Sequence, residues 1–137
     1  MTNEQLEKIN VLNKLYYAEM KLKSLKSLKI DDKKRAKNFI DIFPDKSDNK
    51  AFSDYKREVC SFYKKSAGNY LIALREYLDI REKTEKIIDS AEDVELCSIL
   101  RYRYLEYRTW EKIAEKMYYS LRNVKYKHKA ALDKIKI

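Results

Sequence analysis

The fold is decided by residues 109–135, which read TWEKIAEKMYYSLRNVKYKHKAALDKI. Apolar side chains in the first part of this stretch recur at positions i, i+3, i+4 and i+7, so they share one face of a helix. These side chains are Trp110, Ile113, Ala114 and Met117. Thr109 stands just before this face, where its hydroxyl can cap the first free amide groups. The pattern therefore predicts a short amphipathic helix that begins after Thr109.

A second helix follows after a tight turn. Ser120 is placed to cap it in the same way. Its inner side is predicted to carry Val124, His128, Ala131, Leu132 and Ile135. The small side chain of Ala114 lets two helices that cross through a short turn approach closely. The two helices together indicate a helix-turn-helix, a motif that places its second helix in the major groove of DNA.

The outward side of the second helix, about residues 121–135, supplies the candidate DNA-binding residues. With Val124 pointing inward and about 100° per residue, Arg122 and Tyr126 point outward and Asn123 lies on a flank. Arg122 can pair with guanine and Asn123 with adenine, while Tyr126 can contact a thymine methyl or a phosphate. Phosphate contacts are predicted for Lys125, Lys127 and Lys129, and for Thr109 and Trp110 at the N-terminus of the first helix. For Trp110 core packing is the main predicted role.

The charge distribution favours the same function. The chain has a net charge of +9, and residues 101–137 hold 11 Lys+Arg against four Asp+Glu, a balance of +7. Residues 1–100 hold 20 against 18, a balance of +2. A basic surplus on the residues of the motif indicates a polyanionic partner, here double-stranded DNA.

Residues 1–89 are predicted to form a long antiparallel helical arm, and residues 90–137 a trihelical DNA-binding domain, in an all-α fold. One Gly and one Pro in 137 residues leave long stretches without a turn signal. Breaks or caps are expected at Asp31–Asp32, at the loop 43–49, at Gly68–Asn69, and at Ser90–Asp93, which resembles a capping box. Two long helices seldom bury all their apolar surface, so the arm is expected to make a homodimer or to bind another partner.

Other classes of function find no support in the sequence. We expect no enzyme, cofactor or metal site, because there is no nucleophile with a paired base, no Gly-rich phosphate loop and no cluster with metal-ligand spacing. Cys60 and Cys97 stand alone and are predicted to be thiols in a reducing cytoplasm. No apolar run approaches the ~20 residues of a membrane span, and the polar start MTNEQLEKIN is unlike a signal peptide.

Residues 99–132, ILRYRYLEYRTWEKIAEKMYYSLRNVKYKHKAAL, resemble the helix-turn-helix of sigma-factor region four, and in particular that of phage and prophage transcriptional regulators of the RinA and ArpU type. The features that carry the resemblance are Arg103-Tyr104, Thr109-Trp110-Glu111, Ile113-Ala114, Tyr119-Ser120, and the series Val124, His128, Ala131 and Leu132. The resemblance implies a DNA-binding activator of phage late genes or a related regulator. The sigma-factor context adds RNA polymerase as an expected partner. The sequence departs from the pattern at the turn, where Tyr118 replaces the usual Gly or Asn.

Two alternatives remain open at this stage. The arm could bind RNA polymerase or another phage protein while the basic unit has lost sequence-specific DNA binding. A DNA-packaging adaptor would also carry a helix-turn-helix, although such adaptors usually place it at the N-terminus.

Overall fold

The computed structural model describes residues 1–43, 47 and 49–137, and within these residues it is built from helices without strands. The helices are α1 (Asn3–Asp41), α2 (Asn49–Asp89), α3 (Val94–Tyr104), α4 (Trp110–Met117) and α5 (Leu121–Lys134). The prediction of an all-α fold is confirmed. Of the predicted loop 43–49, residues 44–46 and 48 lie outside the described residues. None of the helices in the described part is long and apolar enough to cross a membrane.

Two of the expected breaks are wrong, and at a third position the predicted break is present but another residue caps the helix. Helix α1 continues through Asp31–Asp32, because Asp32 is buried and accepts hydrogen bonds from Ser66 and Arg35 instead of capping a new helix. Helix α2 continues through Gly68, which does not adopt a positive φ. At the third position the cap of α3 is Asp93, whose carboxylate accepts from Leu96 N at 2.9 Å, and not Ser90.

The chain divides into two compact units, and the division falls elsewhere than the predicted boundary at residue 89. One unit comprises residues 1–19 and 77–137, and the other residues 20–76. The reason is the core of the first unit, where Leu12 of α1 and Ile88 of α2 are fully buried in one cluster with Leu100 and Leu132. Residues 90–137 thus share their core with both ends of the predicted arm.

Polar contacts tie the same elements together in the unit of residues 1–19 and 77–137. The buried Lys8 ammonium donates to the carbonyl oxygen of Leu132 at 2.8 Å, near the C-terminus of α5, where a positive charge is favourable. Gln5 Nε2 donates to Asp133 Oδ1 at 2.9 Å. The Sγ atom of the buried Cys97 lies 3.2 Å from the carbonyl oxygen of Ile88. The C-terminal end of α5 is therefore fixed to the first turns of α1.

In the unit of residues 20–76, α1 and α2 pack side by side in opposite directions. Lys21 pairs with Glu76 at 3.5 Å, Asp32 with Ser66, and the rings of Phe39 and Phe62 meet edge to face at 6.4 Å. The residue numbers in these contacts increase along α1 while they decrease along α2, which is the pattern of an antiparallel helix pair.

Candidate nucleic-acid interface

Helix α4 begins where the sequence predicts. The Thr109 hydroxyl accepts a hydrogen bond from Lys112 N at 3.3 Å and so caps the helix. Ile113 is fully buried and Ala114 is 7% exposed, so the apolar face of this eight-residue helix points into the protein. Both side chains belong to a second core cluster with Ile99 of α3 and Val124 of α5. The small residue at position 114 thus lies inside the contact between helices.

A left-handed residue ends α4 and makes the turn. Tyr118 has φ 57° and ψ 39°. The N–H of Tyr118 bonds to Glu115 O at 3.3 Å, and that of Tyr119 to Ala114 O at 3.0 Å. This pair of bonds is the Schellman arrangement, in which Gly is the usual left-handed residue. The Tyr118 ring is 94% exposed, so no packing compensates for the conformation of its backbone.

Helix α5 begins at Leu121, three residues after Tyr118, and has the predicted cap at Ser120. Ser120 Oγ accepts from Asn123 N at 3.1 Å. Val124 is fully buried and His128 is 2% exposed, which confirms the predicted inner side of this helix. Ala131, Leu132 and Ile135 continue the inner side and are also buried.

The opposite side of α5 is open to solvent and positively charged. A shallow depression of about 420 Å³ runs along it. Its lining residues are Leu121, Arg122, Lys125, Tyr126 and Lys129. None of the three cations in this set forms an ion pair with a residue in the described ranges, and Tyr126 is 71% exposed without a ring contact there. The sequence does not predict Leu121 at this site, because a Leu at the start of an amphipathic helix usually joins the core.

Two of the remaining predicted residues, Asn123 and Trp110, are less accessible. Asn123 is half-buried on the flank of α5. Trp110 is also half-buried, with the Arg103 guanidinium 4.4 Å and the His128 ring 4.5 Å from its own ring centre. These contacts hold Trp110 against the protein and support the core-packing role that the sequence suggests. Thr109 is exposed, although its hydroxyl already serves as the cap of α4.

Lys127 differs from Lys125 and Lys129 because its ammonium is already paired. Its Nζ lies 3.0 Å from Glu95 Oε1 on α3 and 5.0 Å from the centre of the Tyr119 ring. The Tyr119 hydroxyl, followed by Lys127, lowers the pKa of Glu95, and hydrogen bonding to Glu95 raises the pKa of both Tyr119 and Lys127. This network connects α3, the turn and α5. Local patterns do not predict it, because Glu95 lies far from the other two residues along the chain.

His128 forms a buried pair with Tyr104 of α3. The Tyr104 hydroxyl and His128 Nε2 are 2.7 Å apart and share a hydrogen bond. Burial lowers the pKa of His128 to about 4, with Arg103 and Lys129 contributing, and burial raises the pKa of Tyr104 to about 12. Both groups are therefore neutral at pH 7, and the pair packs α5 against α3 without a buried charge.

The described residues contain no group of three His, Cys, Asp or Glu side chains that could hold a metal ion. Comparison with known proteins gives no relative: no family model matches the chain, and no curated protein or solved structure shows significant similarity to it.

Proposed function

We propose that the protein binds double-stranded DNA sequence-specifically and regulates transcription, with α4 and α5 as a helix-turn-helix and α5 as the recognition helix. The observation that carries this proposal is the outward face of α5. Arg122, Lys125 and Lys129 are exposed there without an ion pair to any described residue, while the other side of the same helix is fully buried. A helix held rigidly on one side and free and basic on the other suits the major groove.

The residues of this face divide by the chemistry they offer. Arg122 lies in the first turn of α5, where recognition-helix side chains reach base edges, and its guanidinium can donate two parallel hydrogen bonds to guanine. Tyr126, one turn further, offers a ring and a hydroxyl to a base or a phosphate. Lys125 and Lys129 are compact positive charges that neutralise phosphate without distinguishing bases. Asn123 reads adenine only if its half-buried amide turns outward.

Lys127 has a different role in this proposal. The sequence suggests a phosphate contact, but its charge is already satisfied by Glu95. We assign it to holding α5 against α3, where it fixes the direction in which Arg122 points. DNA binding then depends on Lys127 through the protein's own geometry and less through a phosphate.

Two classes of substitution test the proposal. Arg122→Ala should cost ~1–3 kcal/mol on a preferred site and relax the choice of base, with little effect on other duplexes. Lys125→Ala or Lys129→Ala should weaken binding to all duplexes alike and lower the slope of log affinity against log salt by about one unit each. Lys83→Ala is the matched control, since Lys83 on α2 already pairs with Asp79 at 2.9 Å and should change neither quantity. Equal behaviour of Arg122→Ala and the control would refute the assignment of α5.

The arm is the second part of the proposal. In the unit of residues 20–76, large apolar side chains are about half exposed, among them Met20, Leu28, Leu71 and Ile72. This surface favours self-association into a homodimer, which would present two recognition helices to two half-sites. A second candidate function uses the same surface to bind RNA polymerase or another protein partner, and then no duplex sequence would be preferred.

A further inference from the structure

The net charge divides differently between the two compact units than between residues 1–100 and 101–137 of the sequence. Residues 20–76, which form one compact unit, hold 15 Lys+Arg against eight Asp+Glu and thus +7 of the total of +9. Residues 1–19 and 77–137 together hold only +2, since acidic residues between 77 and 95 offset the basic C-terminal third. Most of the net positive charge therefore belongs to the unit of residues 20–76 and not to the unit that contains α5.

The lysines of α1 in this unit concentrate in one stripe. At about 100° per residue, five of them fall within an arc of about 100° on one side of the helix. They are Lys23, Lys26, Lys33, Lys34 and Lys37, here called the lysine stripe. All five are exposed, and none forms an ion pair or a ring contact with a residue that the structure describes. The stripe is about 21 Å long at 1.5 Å per residue.

Some cations elsewhere in the chain are paired within their own helix. Elsewhere the helices place an acid three or four residues from a cation, as in Lys83 with Asp79 at 2.9 Å and Lys86 with Glu82 at 3.3 Å. In the lysine stripe other lysines also stand at this spacing, such as Lys33 and Lys37 at i, i+4. Acids stand three or four residues from Lys23, Lys34 and Lys37, but none of these lysines forms an ion pair with a described residue. Like charges at this spacing destabilise a helix. An external polyanion removes this repulsion by replacing the counterions of the stripe.

We propose that the lysine stripe is a second nucleic-acid contact, which binds the phosphate backbone of duplex DNA outside the recognition site and without sequence preference. Duplex DNA carries one charge per about 1.7 Å of its axis, so a stripe of this length faces on the order of ten phosphates. This inference rests on the proposed DNA binding of the chain. An anionic membrane fits the stripe less well, because an interfacial helix must also insert an apolar face. On α1 the side that carries Asp32 and Ala36 is buried, and Asp32 bonds to Ser66 of α2. The apolar side chains Leu28, Ile30 and Phe39 are each less than half exposed and so are only partly available for insertion.

The test compares two variants of the full chain that lose the same charge from the same unit. The stripe variant combines Lys23→Gln, Lys26→Gln, Lys33→Gln, Lys34→Gln and Lys37→Gln. The control variant combines Lys50→Gln, Lys56→Gln, Lys64→Gln, Lys65→Gln and Arg75→Gln, which are exposed cations on α2 without an ion pair to a described residue. Circular dichroism verifies that both remain helical. Affinity for a duplex of arbitrary sequence is then measured at several salt concentrations, with anionic vesicles of phosphatidylserine and phosphatidylcholine in a parallel series.

For the stripe variant the slope of log affinity against log salt should fall by about four units, and for the control by less than one. Equal losses in both variants would mean that net charge alone matters and would overturn the inference. A loss confined to the vesicles would assign the stripe to a membrane and would also overturn it. If the wild type binds duplexes without preference but with a slope that depends on the stripe, this inference stands and sequence-specific regulation fails. If the wild type prefers a sequence and the stripe variant does not change the slope, sequence-specific binding stands and the inference about the lysine stripe fails.

Discussion

The left-handed turn at Tyr118 leads to a quantitative prediction for the substitution Tyr118→Gly. A non-glycine residue at φ 57° costs roughly 1–2 kcal/mol relative to glycine, and the greater freedom of glycine in the unfolded chain returns part of this. The ring is 94% exposed and the turn is held by backbone hydrogen bonds, so the substitution removes neither packing nor a bond. We therefore expect a gain of about 1 kcal/mol in the free energy of unfolding, or about 3–5 °C in Tm.

The matched control is Tyr126→Gly. Tyr126 is also exposed, at 71%, but it lies inside α5 with an ordinary helical backbone. Here glycine should cost about 0.5 kcal/mol through helix propensity. Urea unfolding followed by circular dichroism measures both. If Tyr118→Gly lowers the stability, or if both substitutions shift it in the same direction, the reasoning about backbone strain at the turn is refuted.

Three further predictions concern other parts of the chain. The pKa of His128 is lowered to about 4 in the folded protein, whereas its unfolded value is 6.5, so the unfolded state binds more protons as the pH falls below 6.5. The free energy of unfolding should therefore fall by roughly 1.5 kcal/mol between pH 6.5 and pH 5. Urea unfolding of His128→Gln should lack this part of the pH dependence, and identical pH profiles of the two proteins would contradict the assignment. Gly68→Ala should raise the free energy of unfolding by about 0.5–1 kcal/mol, because the residue is inside α2 and nothing lies within 4 Å of the added Cβ. A loss of stability in the same assay would contradict the helical backbone at Gly68. The full chain should sediment as a dimer at tens of micromolar. The substitution Ile72→Lys, at a position that is 57% exposed, should make the protein monomeric with unchanged helicity. A monomeric wild type would exclude self-association through the arm.

The amphipathic pattern of residues 109–135 allowed the local structure there to be predicted closely. Hydroxyl caps act within three residues, so Thr109 and Ser120 could be placed from the sequence alone. The inner side of α5 followed from helical spacing, and Val124 and His128 are buried as predicted.

Features that depend on distant residues could not be predicted in the same way. The ion pair of Lys127 joins it to Glu95 across 32 positions, and the hydrogen bond of Lys8 reaches Leu132 across 124. The predicted break at Asp32 failed for the same reason, since its partner Ser66 comes from the other long helix. An Asp pair in the sequence indicates only a local preference for a helix end. At Asp32 the tertiary contact with Ser66 outweighs this preference, and α1 continues.

Selection of bound duplexes from a random pool with the intact protein tests most directly whether the exposed face of α5 selects a DNA sequence. Wild-type protein should enrich a short common motif over successive rounds, and Arg122→Ala should lose the preference for guanine at one position of that motif while still binding duplexes. Recovery of duplexes without a common motif would contradict the claim and leave a protein partner as the target of the arm.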